Sequence, residues 1–299
     1  MRLSVVVATH NRKESLRCCL HALQDQTLAA TEIIVVDDGS DDGTAAMVQL
    51  EFPAVRLVRQ DTNCGPATAR NKGLLLATGE IVAFTDDDCL PPPDWLQLLC
   101  RGFEKYPGVV GVGGYQEASQ ALIETNPVAR ADHLMRLQRW GARAFHPQRG
   151  GAEIPGLGTN NVAYRRDALL AVNGFDESFP VAAGEDTDLK VRVSQLAVAR
   201  PSSATNGPLL YLPLKMRHAR VYTLQAQWRM ALKRGVGAYY FESKHGRAPG
   251  LARLLLRCAK RSLQFVWDLW QHPWPVAWAM YVTRIGDCLG QFKMAVGKA

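Results

Sequence analysis

An apolar run, EIVAFT at residues 80–85, leads into three consecutive carboxylates, Asp86, Asp87 and Asp88. Like charges at adjacent positions repel, and such a cluster adds no stability unless something cationic joins it. The residues leave two readings open: a solvated loop end, or a seat for a metal ion and a charged ligand. Two further polar clusters also follow short apolar runs. Thr9-His10-Asn11-Arg12 comes after RLSVVVA, and Asp37-Asp38-Gly39-Ser40 closes EIIVVD.

The elements that must position these clusters alternate along the first hundred residues. RLSVVVA (2–8), EIIVVD (32–37), AVRLV (54–58) and EIVAFT (80–85) read as buried strands: short, β-branched and continuous. Between them, RKESLRCCLHALQDQ puts Leu16, Cys19, Leu20 and Leu23 on one helical face. DDGTAAMVQL and GPATARNKGLLLA read as helices, the first with Asp and Thr near its start. PDWLQLLCRGFEKY follows, with Pro93 and Asp94 in the first turn. This alternation implies an α/β chain whose parallel sheet is covered on both faces. Ligands bind such sheets beyond the carboxyl ends of the strands. All three polar clusters fall on that edge, which is hard to explain as three independent solvated loops. No GxGxxG follows the first strand, which disfavours a dinucleotide-binding reading. Further on, GVVGVGGY (108–115) reads as a strand, 128–143 as helical, GTNNVAYRRDALLAVNGF (158–175) as strand then helix, and GEDTDLKVRVSQL (184–196) as a helix with acids at its start.

Composition bounds the rest. The chain has 299 residues, 47% of them hydrophobic, enough for one large domain or one domain plus an appendage. No two of the seven cysteines have CxxC spacing, which suggests a reducing cytosol and neither a zinc site nor a disulfide framework. The N-terminal apolar stretch is short for a signal peptide. No run approaches the roughly 20 apolar residues of a spanning helix. The expectation is a chain neither secreted nor membrane-spanning. Charge is uneven: residues 215–299 hold 15 of the 35 Lys and Arg but only 3 of the 28 Asp and Glu. Such asymmetry points to an anionic partner.

VVVATHNR, VVDDGSDDGT, GPATARNKGLLLATGEIVAFTDDDCLPPPDWL, GTNNVAYRRDAL and GFDESFPVAAGEDTDL occur in this order and together resemble family 2 glycosyltransferases of the GT-A fold over about residues 3–220. The resemblance implies a mostly parallel, Rossmann-like sheet flanked by helices. Its catalytic domain would span 1–220, with a nucleotide-binding half (1–115) and an acceptor-binding half (116–220). A basic helical appendage, 221–299, would follow. The implied reaction is inverting transfer of a sugar from a nucleotide-diphosphate sugar, a UDP-sugar first among them, to an acceptor hydroxyl in cell-surface glycan or glycolipid synthesis. Mg²⁺ or Mn²⁺ would neutralise the leaving diphosphate.

The resemblance also assigns roles. Asp88 and Asp86 would hold the metal, because hard cations take carboxylate oxygens, and Asp86 and Asp87 would also bind the nucleotide-sugar, holding the ribose and the metal's waters. His218, in LKMRHAR, matches a metal-coordinating histidine of many relatives, and imidazole suits Mn²⁺ better than Mg²⁺. Asp38 would accept a hydrogen bond from the donor base, such as uracil N3–H. Thr9, Asn11 and Arg12 would line the same pocket. Arg70 would touch the diphosphate or brace Asp86. An acceptor hydroxyl needs a base in reach; Asp186 matches the family base and Glu185 would orient the acceptor. Gly158, Thr159, Asn160 and Asn161 would line the donor-sugar or acceptor pocket. Each assignment has a plainer counterpart: an ordinary turn for the β-end acids, a dipole-offsetting helix start for Glu185, Asp186 and Asp188.

LARLLLRCAKRSLQFVWDLW (251–270) can form an amphipathic helix with Leu251, Leu255, Cys258, Phe265 and Leu269 near one face and a basic stripe of Arg253, Arg257, Lys260 and Arg261. With Trp274 and Trp278 it reads as lying in a membrane interface through 251–290, on the inner face of the membrane, beside a lipid-linked acceptor. The competing arrangement packs these helices on the catalytic domain. No nucleic-acid module is present, so nucleic acid is not an expected partner. Two other functions compete. A nucleotidyltransferase on a similar fold would carry a Gly-rich first loop, which THNRKES is not. A non-catalytic sugar-nucleotide or membrane-surface module would have less use for intact acidic motifs.

Overall fold

The computed structural model describes residues 1–198 and 207–297, and these divide into two compact units. The first comprises residues 1–117, 142–177 and 186–219; the second comprises 118–141, 178–185 and 220–299.

The first unit is built on one mixed sheet. In chain order its elements are β1 (Leu3–Thr9), α1 (Lys13–Gln24), β2 (Glu32–Asp37), α2 (Thr44–Glu51), β3 (Arg56–Arg59), α3 (Pro66–Leu76), β4 (Ile81–Asp86), β5 (Cys89–Leu90), α4 (Trp95–Lys105) and β6 (Gly111–Glu117). The sheet runs β3-β2-β1-β4 in parallel, as the continuous apolar runs predict. Beyond β4 it becomes mixed. Of the later strands β7 (Gln148–Gly150), β8 (Val162–Arg165) and β9 (Leu209–His218), β8 is antiparallel to both β4 and β6, β9 is parallel to β6, and β5 and β7 pair antiparallel with β9. Two further helices, α7 (Arg166–Ala171) and α8 (Glu185–Val198), follow β8.

Burial follows the pleat. Val5 and Val7 of β1 join one apolar layer with Leu16 and Leu20 of α1 and Trp95 and Leu99 of α4. Val6 joins the other, with Ala69 and Leu74 of α3 and Phe84 of β4. Gly73 lets α3 lie against the sheet, because a Cβ there would land on Val6. Register places the strand ends level: Thr9 stands opposite Asp37 and Ala8 opposite Asp86. The three polar clusters of the sequence therefore share one edge.

The opposite edge is fastened by Glu32. Its Oε1 accepts from Ser4 Oγ, Thr78 Oγ1 and the Thr78 N–H, each at 2.7 Å. Burial would raise this carboxyl, but the Ser4 and Thr78 bonds and the Arg56 charge outweigh it and hold the pKa below the usual glutamate range.

The second unit is helical: α5 (Gln120–Thr125), α6 (Pro127–Trp140), α9 (Leu224–Lys244), α10 (Leu251–Gln271) and α11 (Trp274–Val296). Asn126 caps α6, accepting from the Val128 and Ala129 N–H groups, and Pro127 occupies a position where no amide donor is needed. The core is small and alanine-rich, with Ala118, Ile123, Val128, Tyr222, Val276 and Met280. Helices α9 and α11 meet backbone to backbone. A Cβ on Gly235 would strike the Asp287 carbonyl, and one on Gly290 the Leu232 carbonyl. Asp268 of α10 is wholly buried on Arg284 of α11, whose second nitrogen donates to Gln138 of α6 at 2.8 Å. Among the described residues no helix is long and apolar enough to cross a membrane.

Glu32→Gln should cost about 1 kcal/mol of stability near pH 7. The charge of Glu32 stabilises the fold above the ordinary glutamate pKa and stops doing so as pH falls through the lowered folded value. Urea melts of the two proteins should therefore converge as pH falls below the ordinary glutamate range.

Candidate active site

Strand β4 ends at Asp86, and the chain turns through Asp87 and Asp88 before pairing β5 with β9. That pairing sets Cys89 opposite His218 and brings the Ala219 N–H to the Asp88 carbonyl at 2.8 Å. The imidazole of His218 is thereby held beside the Asp88 side chain, with Nε2 3.1 Å from Oδ1. The other Asp88 oxygen accepts from Arg12 Nη1 at 2.7 Å. The same nitrogen reaches Asp87 Oδ1 at 3.0 Å, and Thr9 Oγ1 donates to Asp87 Oδ2 at 2.8 Å. Asp86 turns elsewhere, accepting from Arg70 Nη2 at 2.9 Å.

The two acids of the Arg12 pair are held at opposite ends of the carboxylate range. Burial pushes Asp87 up, Arg12 only partly offsets this, and its pKa lies at about 6. Burial acts on Asp88 too, but the His218 and Arg12 contacts prevail and hold it at about 2. Asp88 is therefore an ionised donor at any working pH.

Asp88, Cys89 and His218 present donor atoms within 4.8 Å of one another. Burial and the neighbouring Asp86 and Asp88 charges push the Cys89 thiol well above its ordinary pKa. It is a protonated neighbour, and the donors that fit a divalent cation are the Asp88 carboxylate and the His218 imidazole. That mixed set suits Mn²⁺ better than Mg²⁺. Asp86, expected in the metal set, is drawn away by Arg70 and lies outside this cluster; of the two expected roles for Arg70, the structure displays the brace.

The loops after β1 and β2 are stitched to one another. Asn11 adopts a left-handed backbone (φ 52°); its N–H donates to Ser40 Oγ and its Oδ1 accepts from the Asp41 N–H. His10 Nδ1 lies 2.8 Å from the Asp38 carbonyl. Asp38, expected to wait for a donor base, is buried and already engaged. Its Oδ1 accepts from Gln60 Nε2 and the Cys64 N–H, and its Oδ2 from the Gly65 N–H. In this structure it fastens the 60–65 loop. Gly39 (φ +74°) permits the close approach, since a Cβ would meet the backbone of Thr62 and Asn63. Asp37 is wholly buried and accepts from the Ser40 N–H, as an ordinary turn acid does.

The remaining sequence-predicted residues collect around α8. Asp186 sits in its first turn, with Oδ1 accepting from the Thr187 N–H at 2.7 Å. Its Oδ2 faces Gly158, where a Cβ would come within 3.3 Å, and Asn160 lies alongside. Thr85 Oγ1 donates to the Asn160 carbonyl at 3.1 Å, tying this loop to β4 one residue before the carboxylate triple. Lys190 Nζ donates to the Ile154 carbonyl at 2.6 Å and fastens the approach to the loop onto α8. Thr159 and Glu185 are buried. Asp188 is wholly buried and paired with Arg192 at 2.6 Å. Asn161, expected in the pocket, is a core brace. Its Oδ1 accepts from Trp95 Nε1, and its Nδ2 donates to the Tyr115 and Leu214 carbonyls. Sequence reasoning missed Gln60 and the Cys64–Gly65 amides; the turn signal Gly65-Pro66 marks the loop but not its target.

The profile of Glycosyl transferase family 2 matches residues 4–171. A glucosyl-dolichyl phosphate glucuronosyltransferase from Haloferax volcanii is 31% identical over 59% of this chain and 56% of its own length. An uncharacterised glycosyltransferase from Haemophilus influenzae is 33% identical over 74% of this chain and 71% of its own. The chain spans about half the length of the first of these relatives. Among solved structures, mannosyltransferase PcManGT from Pyrobaculum calidifontis, in complex with GDP-Man and Mn²⁺, superimposes with a TM-score of 0.67. It covers all of this chain and 88% of the other at 20% identity, which shows a shared fold.

Asp88→Asn and His218→Ala should each weaken Mn²⁺ binding by about tenfold or more in calorimetry, while Asp86→Asn changes it little. Because the folded Asp87 pKa is raised, the metal-free protein should lose stability as pH rises through about 6. Asp87→Asn should flatten that decline by roughly 1–3 kcal/mol between about pH 4 and 7, as read from denaturant melts.

Proposed function

The chain belongs to glycosyl transferase family 2, and on that premise we propose that it transfers a sugar, with inversion, from a nucleotide-diphosphate sugar to an acceptor hydroxyl. The observation that carries this reading is the pair of acids joined through one loop. Asp186 borders the Gly158–Asn160 turn, and that turn is bonded through Thr85 to the strand that ends in the carboxylate triple. A base and a cation seat are thus coupled by two short connections.

In this reading Asp88 and His218 hold Mn²⁺ or Mg²⁺, which supplies charge neutralisation for the departing nucleoside diphosphate. Arg12 bridges Asp87 and Asp88, and its guanidinium is a second cation for the same phosphates. Arg70 keeps Asp86 oriented toward the ribose side. Thr9, Asn11 and Asp38 shape the nucleotide pocket, Asp38 by holding the 60–65 loop and by its less occupied Oδ2. Asp186 takes the acceptor proton through Oδ2, its Oδ1 being anchored on the helix start. Glu185 orients the acceptor, and Gly158, Thr159 and Asn160 form the wall between base and donor sugar. The donor is a UDP-sugar in the first instance. The acceptor is a glycan or lipid-linked hydroxyl, met at the cytoplasmic face of a membrane.

Calorimetry with UDP, GDP and dTDP, each with and without Mn²⁺, should give metal-dependent binding of one nucleotide. On the matching sugar donor, Asp186→Asn should lower turnover by about 100-fold or more while leaving nucleotide affinity within about twofold. Release of pyrophosphate in place of a nucleoside diphosphate would overturn the reading in favour of nucleotidyl transfer.

A further inference from the structure

Helix α10 turns a mixed face inward, with Leu254 and Asp268 its buried residues, and leaves its larger apolar face outward. The face it turns to its own unit carries Asp268, buried on Arg284, and Arg257, whose Nη1 donates to Gln291 Oε1 at 2.6 Å and pairs with Glu242 at 3.3 Å. Phe265, expected on the outer apolar face, instead packs against Tyr281 with ring centres 4.6 Å apart. The opposite face carries Leu255, Leu256, Leu263, Val266, Trp267 and Trp270, which are 58–78% exposed. At about 100° per residue these six side chains fall within one arc of about 120°. Exposed Arg253 and Lys260 border that arc on one side.

A contiguous apolar face of this kind marks an interaction surface. Three features select its occupant. The basic margin sits where lipid headgroup phosphates would lie against a helix resting in the bilayer plane. Tryptophans are concentrated on the face, as in membrane-interface belts. A second copy is disfavoured by charge: residues 215–299 hold 15 Lys and Arg against 3 Asp and Glu, so two such surfaces repel.

We propose that α10 lies in the plane of an anionic lipid surface, with Leu256, Leu263, Trp267 and Trp270 among the acyl chains and Arg253 and Lys260 on headgroup phosphates. This stands on the surface of the helical unit alone and holds whether or not the transfer reaction is observed.

The test is sedimentation of the purified full chain with vesicles of phosphatidylcholine alone and of phosphatidylcholine mixed with phosphatidylglycerol, at low and high salt. Binding to the anionic vesicles should exceed binding to the neutral ones by at least about tenfold and weaken with salt. The double variant Trp267→Ser/Trp270→Ser should lose binding at both salt concentrations. Arg253→Glu/Lys260→Glu should lose the part that depends on lipid charge. Both variants alter exposed side chains, and unchanged thermal melts will show that the fold is retained. Wild-type protein that ignores both vesicle types overturns the proposal without recourse to any variant. So does equal binding by the folded double tryptophan variant. A wild-type dimer in light scattering that the tryptophan variant dissolves, without vesicle binding, assigns the face to a second copy and also overturns it.

Discussion

Everything at the ligand edge of the sheet depends on how three adjacent carboxylates are kept from repelling one another. Arg12 bridges Asp87 and Asp88, Arg70 takes Asp86, and His218 takes the remaining oxygen of Asp88. These partners come from three segments distant from the triple in sequence: the loop after β1, helix α3 and the end of β9. The carboxylates therefore work as a knot that draws the segments together. The cost is concentrated on Asp87, which is the most buried of the three and the one pushed upward in pKa. The benefit appears at Asp88, which stays charged beside an imidazole.

This arrangement explains why the sheet turns mixed where it does. After β4 the chain turns through the triple into β5 and leaves the parallel order. The short antiparallel pairing of β5 with β9 returns residues 218 and 219 to within hydrogen-bonding distance of Asp88. Antiparallel β8, lying against β4, similarly places the Gly158–Asn160 turn over Thr85, and α8 brings Asp186 to it. The antiparallel strands thus bring His218 and the Gly158–Asn160 turn to side chains that the parallel strands set at one edge.

The helical unit solves a different problem with the same means. Its core is small, and its tightest contacts are glycine-to-backbone approaches and one buried ion pair, Asp268 with Arg284. Removing one partner of such a pair leaves an uncompensated buried charge. The pair therefore specifies which side of α10 faces inward, and the apolar side is left outward.

The strands β1, β2 and β4, helices α1, α3 and α4, and the convergence of three polar clusters were legible in the sequence, because continuous β-branched runs and helical periodicity are local signals. So was the ordered motif set that marks the family. Local signals failed wherever a polar side chain had a choice of partners. Asp86 read as part of a metal set, and here it pairs with Arg70, one of the two roles expected of that arginine; Asn161 read as pocket, and here it braces the core. Asp38 read as an acceptor for a donor base, and here it holds the 60–65 loop; Phe265 read as part of the lipid-side face of α10, and here it packs on Tyr281. In each case the deciding neighbour is distant in sequence, 16 residues away for Arg70 and 66 for Trp95. Periodicity states that a helix has two faces but not which one the protein keeps. Sequence alone determined the sheet, its ligand edge and the family, because backbone geometry and apolar spacing are properties of short segments. Only the tertiary structure decided which partner each carboxylate takes and which face of α10 meets the outside, because pairing a buried charge requires a partner from elsewhere in the chain.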